Sequence, residues 1–205
     1  MKAIFLDLET TGLDFKKHTV VDVAVKAVNL HDNTELFTYN SLIKCFECEI
    51  KDADKEAMKV NGLTYEKLRE GKHLIQVKYE LQDLLVEHGL FHEHAVFICQ
   101  NPSFDRPFFQ QIIDQEETKE LKLPYHWLDL ASMYWIKFYG SCYPTPIRIS
   151  LSKDSIAKSF GIPPEEKPHS ALRGVEHLIQ CYYAVSHNMI CNPTEPVIYQ
   201  DFLPF

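Results

Sequence analysis

Short apolar runs and alternating segments dominate the first part of the chain. Residues 2–8 contain a continuous apolar run at 3–6, which is typical of a strand that is buried on both faces. Residues 19–29 and 34–45 are rich in β-branched side chains, and the polar residues 31–33 between them suit a turn. The pattern therefore predicts a meander of three strands.

Helical spacing replaces alternation further along the chain. Apolar side chains three and four residues apart predict an amphipathic helix over 74–88, which Gly89 ends. Three strands followed by alternating helices and strands indicate a mixed α/β fold. The remaining predicted elements are a strand over 95–99, helices over 104–113 and 152–160, and a last helix that begins near His169 or Ser170.

Composition places the chain among ordinary globular proteins of one domain. It has 205 residues, of which 45% are apolar and 24% charged. The formal net charge of −8 excludes a surface that is basic all over, the usual mark of a nonspecific nucleic-acid binder, but not a local basic groove. After Arg173 the chain has no Lys or Arg, and prolines interrupt its last residues. We predict a domain over 1–187 and a C-terminal tail over 188–205.

Location and redox state follow from two simpler features. The N-terminal apolar run is too short for a secretory signal, and no stretch approaches a membrane span, so we expect a cytoplasmic protein without a membrane partner. Six cysteines are present, but a chain of this length buries a core without disulfides. We expect free thiols, most of them buried.

Two carboxylates stand at the end of the first predicted strand, in the run Asp7-Leu8-Glu9-Thr10-Thr11-Gly12-Leu13. Residues two apart on a strand point to the same side, so the side chains of Asp7 and Glu9 should lie on the same face of the sheet. Close carboxylates repel each other, and a bound divalent cation relieves that repulsion. The run therefore indicates a metal site more than an acidic surface turn.

Three segments carry a resemblance to a known family. The run 7–13 resembles the first motif of the DEDDh 3′-to-5′ exonucleases, the family of the proofreading subunit of bacterial DNA polymerase III and of several RNA-trimming enzymes. Residues 101–109 resemble its second motif, which makes Asp105 the third carboxylate. The third motif is incomplete, because His169 is present but Gly174 stands where the family has its fourth carboxylate. The resemblance spans residues 3 to about 185.

The resemblance implies a fold, a cofactor and a reaction. The fold is ribonuclease H-like, with a mixed five-stranded sheet and helices on both faces. Asp7, Glu9 and Asp105 would hold two divalent ions, Mg²⁺ or Mn²⁺, and His169 would act as general base. The expected activity is two-metal 3′-to-5′ hydrolysis of single-stranded nucleic acid that releases nucleoside monophosphates. The second threonine of the first motif favours the polymerase-subunit branch, hence DNA replication, proofreading and a DNA substrate, although the motifs do not distinguish DNA from RNA.

Substrate contacts are also implied by the resemblance. Leu13 would wedge near the terminal bases and Phe104 would stack on one of them, which suits single strands of any sequence. Thr10 and Asn101, in the first two motifs, are further candidates. Leu13 and Phe104 can equally be ordinary core residues.

Gly174 leaves three interpretations open. The enzyme can work with three carboxylates and weaker metal binding, Glu176 can replace the missing group, or the chain is a noncatalytic nucleic-acid-binding or replication-associated module of the same fold. Loss of function usually erodes several positions, and the other four motif residues remain, so we favour an active enzyme. On that basis Gly174→Asp is expected to raise activity at low Mg²⁺.

The tail ends with a second candidate motif. Gln200, Leu203 and Phe205 resemble the peptides by which bacterial replication proteins bind the sliding clamp. Such a peptide inserts apolar anchors from an extended segment into a pocket. The alternative is that these side chains pack on their own domain. The expected partners are therefore a single-stranded 3′ end, of DNA or RNA, and a sliding clamp or polymerase.

Overall fold

The computed structural model describes residues 1–142 and 150–187, without the side chains of 139–142. Five strands and nine helices lie in these ranges. In chain order they are β1 (Lys2–Thr10), β2 (Val20–Asn29), β3 (Thr34–Leu42), α1 (Glu47–Lys51), α2 (Lys55–Asn61), α3 (Tyr65–Leu68), α4 (Leu74–Glu87), β4 (Ala95–Cys99), α5 (Pro102–Phe109), α6 (Gln115–Glu120), β5 (Trp127–Asp129), α7 (Leu130–Cys142), α8 (Lys153–Ser159) and α9 (Ala171–His187).

The five strands form one mixed sheet in the order β3-β2-β1-β4-β5. Strand β1 is central: it pairs antiparallel with β2 and parallel with β4. The pair β2–β3 is antiparallel and the pair β4–β5 is parallel. The predicted meander and the predicted mixed five-stranded sheet are both confirmed.

Alternate side chains of β1 point to opposite faces of this sheet. Ile4, Leu6 and Leu8 belong to the core under α4, where Val77 and Leu81 are fully buried. This face is apolar from Ile4 to Leu8, between Lys2 and Thr10 at the two ends of the strand. Hydrophobic burial holds it against α4.

The opposite face of β1 changes character along its length. Ala3 and Phe5 belong to the core formed with α7, α8 and α9. Asp7 and Glu9 continue the same alternation, so the strand leaves the apolar core and carries its carboxylates onto the α9 side. Helices thus cover both faces, as predicted, and one face ends in an acidic site.

Most predicted elements agree with the structure to within a few residues. Helix α4 ends at Glu87, and Gly89 follows in the left-handed region with φ of 58°. The helix predicted over 104–113 instead begins at Pro102 and ends at Phe109, after which the chain turns. The sequence patterns did not predict the short helices α1, α2, α3 and α6, because four to seven residues give no clear periodicity. None of the helices in the described ranges is long and apolar enough to cross a membrane.

The cysteines follow the expectation of free thiols. The four cysteines in the described ranges with described side chains are free, and Cys45, Cys99 and Cys181 are buried while Cys48 is exposed. Cys48 lies on α1 and Cys45 in the segment between β3 and α1.

Candidate active site

The acidic site is formed where β1 and α5 meet. Asp7 and Glu9 come from the end of β1, and Asp105 comes from the first half of α5, where it is 5% exposed. Burial, and after it the charge of Asp7, holds the pKa of Asp105 well above its usual range, so the two carboxylates interact. The structure therefore brings together the three carboxylates that the motifs predict.

The turn after β1 determines which first-motif residues are accessible. The Thr10 hydroxyl is buried and donates a hydrogen bond to the Gly12 carbonyl at 2.7 Å. Leu13, by contrast, is 77% exposed. Of the two candidates for substrate contact in this turn, Leu13 presents its side chain to solvent and Thr10 uses its hydroxyl to hold the turn.

The second motif begins with a strained residue at the start of α5. Asn101 has a φ of 65°, and its backbone N–H donates to Asp129 at 3.0 Å. Its side-chain oxygen accepts a hydrogen bond from Ser103, and it is exposed. Phe104 is partly buried, with its ring 4.9 Å from that of Phe108. Asn101 is therefore available to a ligand, whereas Phe104 is also part of the core.

His169 lies in the segment that leads into α9. Its backbone N–H donates to the Val60 carbonyl at 3.0 Å, while its Nε2 is buried and has no partner within the part of the chain that the structure describes. One ligand atom each from His169, Glu9 and Glu165 lie within 4.8 Å of one another. An unpartnered imidazole nitrogen beside two carboxylates is a suitable proton acceptor or metal ligand.

A buried carboxylate that sequence reasoning missed fixes the start of α9. Asp22 on β2 accepts hydrogen bonds from the Ala171 N–H at 3.0 Å and from the Asn40 side chain at 2.9 Å. A carboxylate at a helix N-terminus satisfies an orphan N–H and suits the helix dipole. Asp22 thereby sets the position of α9 against the sheet. The sequence does not reveal this role, because an acidic residue in a strand rich in β-branched residues is normally expected to point to solvent.

Gly174 is in direct contact with Asp7. A Cβ atom placed on Gly174 would lie 2.0 Å from Oδ2 of Asp7, which is far inside van der Waals contact. A glycine inside a helix costs about 1 kcal/mol relative to alanine, and here it makes room for the Asp7 carboxylate. The expectation that Gly174→Asp raises activity is therefore disfavoured, since any side chain at 174 displaces Asp7 or α9.

The structure does not bring Glu176 to the acidic site. It is exposed on α9 and borders a surface depression with Lys26 and Glu35. This fits the helical geometry, because two residues along a helix turn the side chain by about 200°.

Asp7 instead interacts with a lysine that the motifs did not include, and this lysine also binds Glu165. The Lys153 ammonium lies 3.3 Å from Oδ1 of Asp7 and 2.8 Å from Oε2 of Glu165. It also donates to the Gly174 carbonyl at 3.3 Å. Lys153 stands in the first turn of α8, which begins after the predicted Ser152 cap, and the Glu165 N–H donates to Asp154 of the same helix. A single helix thus positions both groups.

Burial makes the carboxylates hard to ionise without a cation. Burial raises the pKa of Asp7 to about 6, even though Lys153 acts to lower it, and Glu165 adds to the rise. Burial and then the charge of Asp7 raise the pKa of Glu9 to about 8. Burial lowers the pKa of Lys153, but the charges of Asp7 and Glu165 outweigh it and raise that pKa. One ammonium therefore does not compensate the whole cluster.

The donor set fits a divalent ion that prefers oxygen ligands. The second oxygen of Glu165, Oε1, is buried without a partner among the described residues, as is Nε2 of His169. Both residues belong, with Glu9, to the cluster whose ligand atoms lie within 4.8 Å of one another. Mg²⁺ and Mn²⁺ favour carboxylate oxygens, and such an ion would satisfy the orphaned carboxylate oxygen.

Comparison with known proteins assigns the chain to a family. Residues 4–182 match the family model RNase_T, described as an exonuclease. The chain belongs to this exonuclease family. The membership supports a nuclease of the DEDD type, a family that generally uses divalent metal ions, and it agrees with the fold and the carboxylates described above. A search of curated protein sequences gives no significant match.

Solved exonucleases share the fold. Escherichia coli exonuclease I bound to a dT13 oligonucleotide superposes with a TM-score of 0.71 at 15% identity, over 91% of this chain and 41% of that one. Its zinc-bound complex with single-stranded DNA gives 0.70 at 15%, over 90% and 40%. Cell-death related nuclease 4 gives 0.68 at 14%, over 88% and 62%. At these identities the likeness is one of fold, and the exonuclease chain described here spans less than half the length of exonuclease I.

Proposed function

We propose that this exonuclease-family chain is a metal-dependent 3′-to-5′ exonuclease that acts on single-stranded nucleic acid, DNA in preference to RNA. The observation that carries the proposal is the cluster of His169, Glu9 and Glu165, whose ligand atoms lie within 4.8 Å of one another, together with the buried and unpartnered Nε2 of His169. Such a set can bind an ion, hold a water and remove its proton. The related exonuclease I structures that contain DNA oligonucleotides support the substrate class.

The proposed reaction adds water across the last phosphodiester. The water oxygen bonds to phosphorus, and the bond from phosphorus to the 3′ oxygen breaks with its electron pair on that oxygen. The products are a nucleoside 5′-monophosphate and a strand one nucleotide shorter, whose 3′ oxygen takes a proton from solvent. His169 accepts the proton of the attacking water and returns it to solvent. His169 is suited to this role because its Nε2 has no hydrogen-bond partner among the described residues and its ring lies beside Glu9 and Glu165.

The carboxylates hold the ion in this proposal. Asp7, Glu9 and Asp105 are the proposed ligands, and Oε1 of Glu165 is a further oxygen donor. A divalent ion, Mg²⁺ or Mn²⁺, supplies Lewis acidity to the attacking and leaving oxygens when bound. The family resemblance implies two such ions.

Leu13 and Asn101 are the proposed substrate contacts because both are exposed beside the acidic residues in sequence. An exposed leucine can pack against the terminal base without reading its identity. Phe104 and Thr10 would support these contacts from below. Phe104 would do so as a partly buried ring, and Thr10 by holding the turn through its hydrogen bond to Gly12.

The direct test is a shortening assay on a 5′-labelled single-stranded oligonucleotide, run as matched DNA and RNA. With Mg²⁺ or Mn²⁺ we expect a ladder that shortens one nucleotide at a time from the 3′ end, and no ladder with EDTA. A circular single strand should stay intact, because it has no end. Binding without shortening would instead support the noncatalytic module, and cleavage of the circle would contradict an exonuclease.

We also propose that the tail binds a sliding clamp, on the basis of Gln200, Leu203 and Phe205. These residues lie outside the described residues, so the proposal rests on their sequence alone. Deletion of 200–205 should abolish clamp binding in calorimetry without changing exonuclease activity. No binding by the intact chain, or unchanged affinity after deletion, would end this proposal.

A further inference from the structure

Lys153 occupies a pocket of oxygens of the kind that binds a metal ion. Its ammonium lies 2.8 Å from Glu165 and 3.3 Å from Asp7, and it donates to the carbonyl of Gly174 at 3.3 Å. These are two carboxylates and one carbonyl, from three separate segments of the chain. Its side chain is only 15% exposed, so this is not a surface ion pair.

The three contacts use the full capacity of the lysine. An ammonium has three N–H donors and no acceptor, and three oxygens lie around this one. Lys153 can therefore share its single positive charge between Asp7 and Glu165, but no N–H is left free to donate to a further group. Its contribution is a fixed positive charge.

Gly174 explains why the lysine can reach this position. A Cβ at 174 would come within 2.0 Å of Oδ2 of Asp7, so the Asp7 carboxylate fills the space that a side chain would need at the position where the family resemblance expects a fourth carboxylate. The backbone carbonyl of the same residue accepts from Lys153 instead. A positive group thus lies where the family resemblance expects a negative one.

We propose that the ammonium of Lys153 takes the place of one of the two divalent ions, so that this chain binds a single divalent ion. The inference rests on the proposed function, because it concerns which cations balance the carboxylates of the proposed active site. The remaining ion contacts Glu9, which belongs with Glu165 and His169 to the cluster whose ligand atoms lie within 4.8 Å of one another. Gly174 then marks an exchange of one cation for another and not a decayed site.

The pairing also has a second explanation, which is a salt bridge that only stabilises the fold. The two explanations differ in the number of ions bound. If Lys153 replaces an ion, removing its charge opens a position that a second ion can fill. If it is only structural, the same change lowers stability and leaves the ion count unchanged.

The test counts bound Mn²⁺ by electron paramagnetic resonance of the free ion, on the full chain without nucleic acid. The variants are Lys153→Met, which removes the charge at similar length, and Lys153→Arg, which keeps it. Lys158→Met is the matched control, because Lys158 is an exposed lysine on the same helix. Circular dichroism checks that each variant is folded.

We expect one tightly bound Mn²⁺ in the wild type, in Lys153→Arg and in Lys158→Met, and two in Lys153→Met. In Lys153→Met the slope of log rate against log Mn²⁺ concentration should rise from one towards two. Two ions in the wild type, no ion in the wild type, or a folded Lys153→Met that still binds one ion would each overturn the inference. If Lys153→Met does not fold, the counts for the wild type and Lys153→Arg decide.

The same experiment separates this inference from the proposed function. Two bound ions together with stepwise 3′ shortening would refute the role of Lys153 and keep the exonuclease. One bound ion without shortening, and a second ion in Lys153→Met, would keep the role of Lys153 and refute the exonuclease.

Discussion

Asp7 has a positively charged neighbour on one side and an acidic neighbour on the other. Towards α8 and α9, Asp7 meets the Lys153 ammonium and the bare backbone of Gly174. Towards α5 it interacts with Asp105, which has the Cys99 thiol as a hydrogen-bond partner and a pKa that burial holds well above its usual range. The first side thus receives one positive charge from the protein itself, while the second keeps an uncompensated acid. On the proposal above, the Lys153 ammonium supplies positive charge that a second divalent ion would otherwise supply.

The largest effect is expected from Asp7, because it belongs to both sides. Asp7→Asn removes an ion ligand and the partner of Lys153, and should slow single-turnover shortening at least about 1,000-fold, or about 4 kcal/mol of transition-state stabilisation. Glu176→Gln changes an exposed carboxylate on α9 and should alter the rate less than about twofold. A large loss in Glu176→Gln would revive the idea that this residue replaces the missing carboxylate.

A side chain at 174 should disturb the lysine side alone. Gly174→Ala improves helix propensity but places a Cβ 2.0 Å from Oδ2 of Asp7, so Asp7 or α9 must move. We expect a rate about 10- to 100-fold lower, and a stability about 1–3 kcal/mol lower, from the displaced carboxylate. Gln180→Ala, at an exposed position of the same helix, is the control for substitution in α9. Unchanged activity and melting temperature in Gly174→Ala would contradict the close contact.

The raised pKa values predict how stability depends on pH. Burial raises the pKa of Asp7 to about 6 and that of Glu9 to about 8, above the ordinary values of 3.8 and 4.5. A raised carboxyl pKa stabilises the fold at low pH, and this contribution is lost as pH rises from about 4 towards 8. Without metal, the melting temperature should therefore fall between pH 5 and pH 8.

Ion binding should reverse that trend, because protons and Mg²⁺ compete for the same oxygens. The stabilisation by saturating Mg²⁺ should grow from pH 5 to pH 8, and Glu9→Gln should flatten both curves. Differential scanning fluorimetry with EDTA and with Mg²⁺ measures this directly. A melting temperature in EDTA that stays constant in wild type and in Glu9→Gln would refute the role of the buried carboxylates.

The smallest effect is expected outside both sides, at Leu13. Leu13→Ala shortens a side chain that is 77% exposed, so the melting temperature should hardly change. Loss of its contact with the terminal base should raise KM about fivefold, or about 1 kcal/mol, with kcat nearly constant. Val86→Ala, an exposed apolar residue on the distant helix α4, is the control. An unchanged KM in Leu13→Ala would exclude this contact.

Sequence reasoning succeeded where the chemistry lies within one element. Asp7 and Glu9 are on the same strand, and alternation alone places them on one face. Ser152 and Gly161 likewise bound α8 by local rules of helix capping. These predictions needed no knowledge of tertiary packing.

The same reasoning failed where distant segments converge. Lys153 and Glu165 are ordinary charged residues in sequence, and only the packing of α8 against β1 and α9 joins them to Asp7. Gly174 was interpreted as a lost ligand because the pattern compares residues position by position. Its contact with Asp7 becomes visible only when the helix and the strand are seen together.

The most direct test of this account is a crystal structure of the wild-type chain with Mn²⁺, in which anomalous scattering locates every bound ion. The account predicts one Mn²⁺ in contact with Glu9, and the Lys153 ammonium still between Asp7 and Glu165. Two Mn²⁺ ions, with one of them in the position of the displaced ammonium, would contradict it.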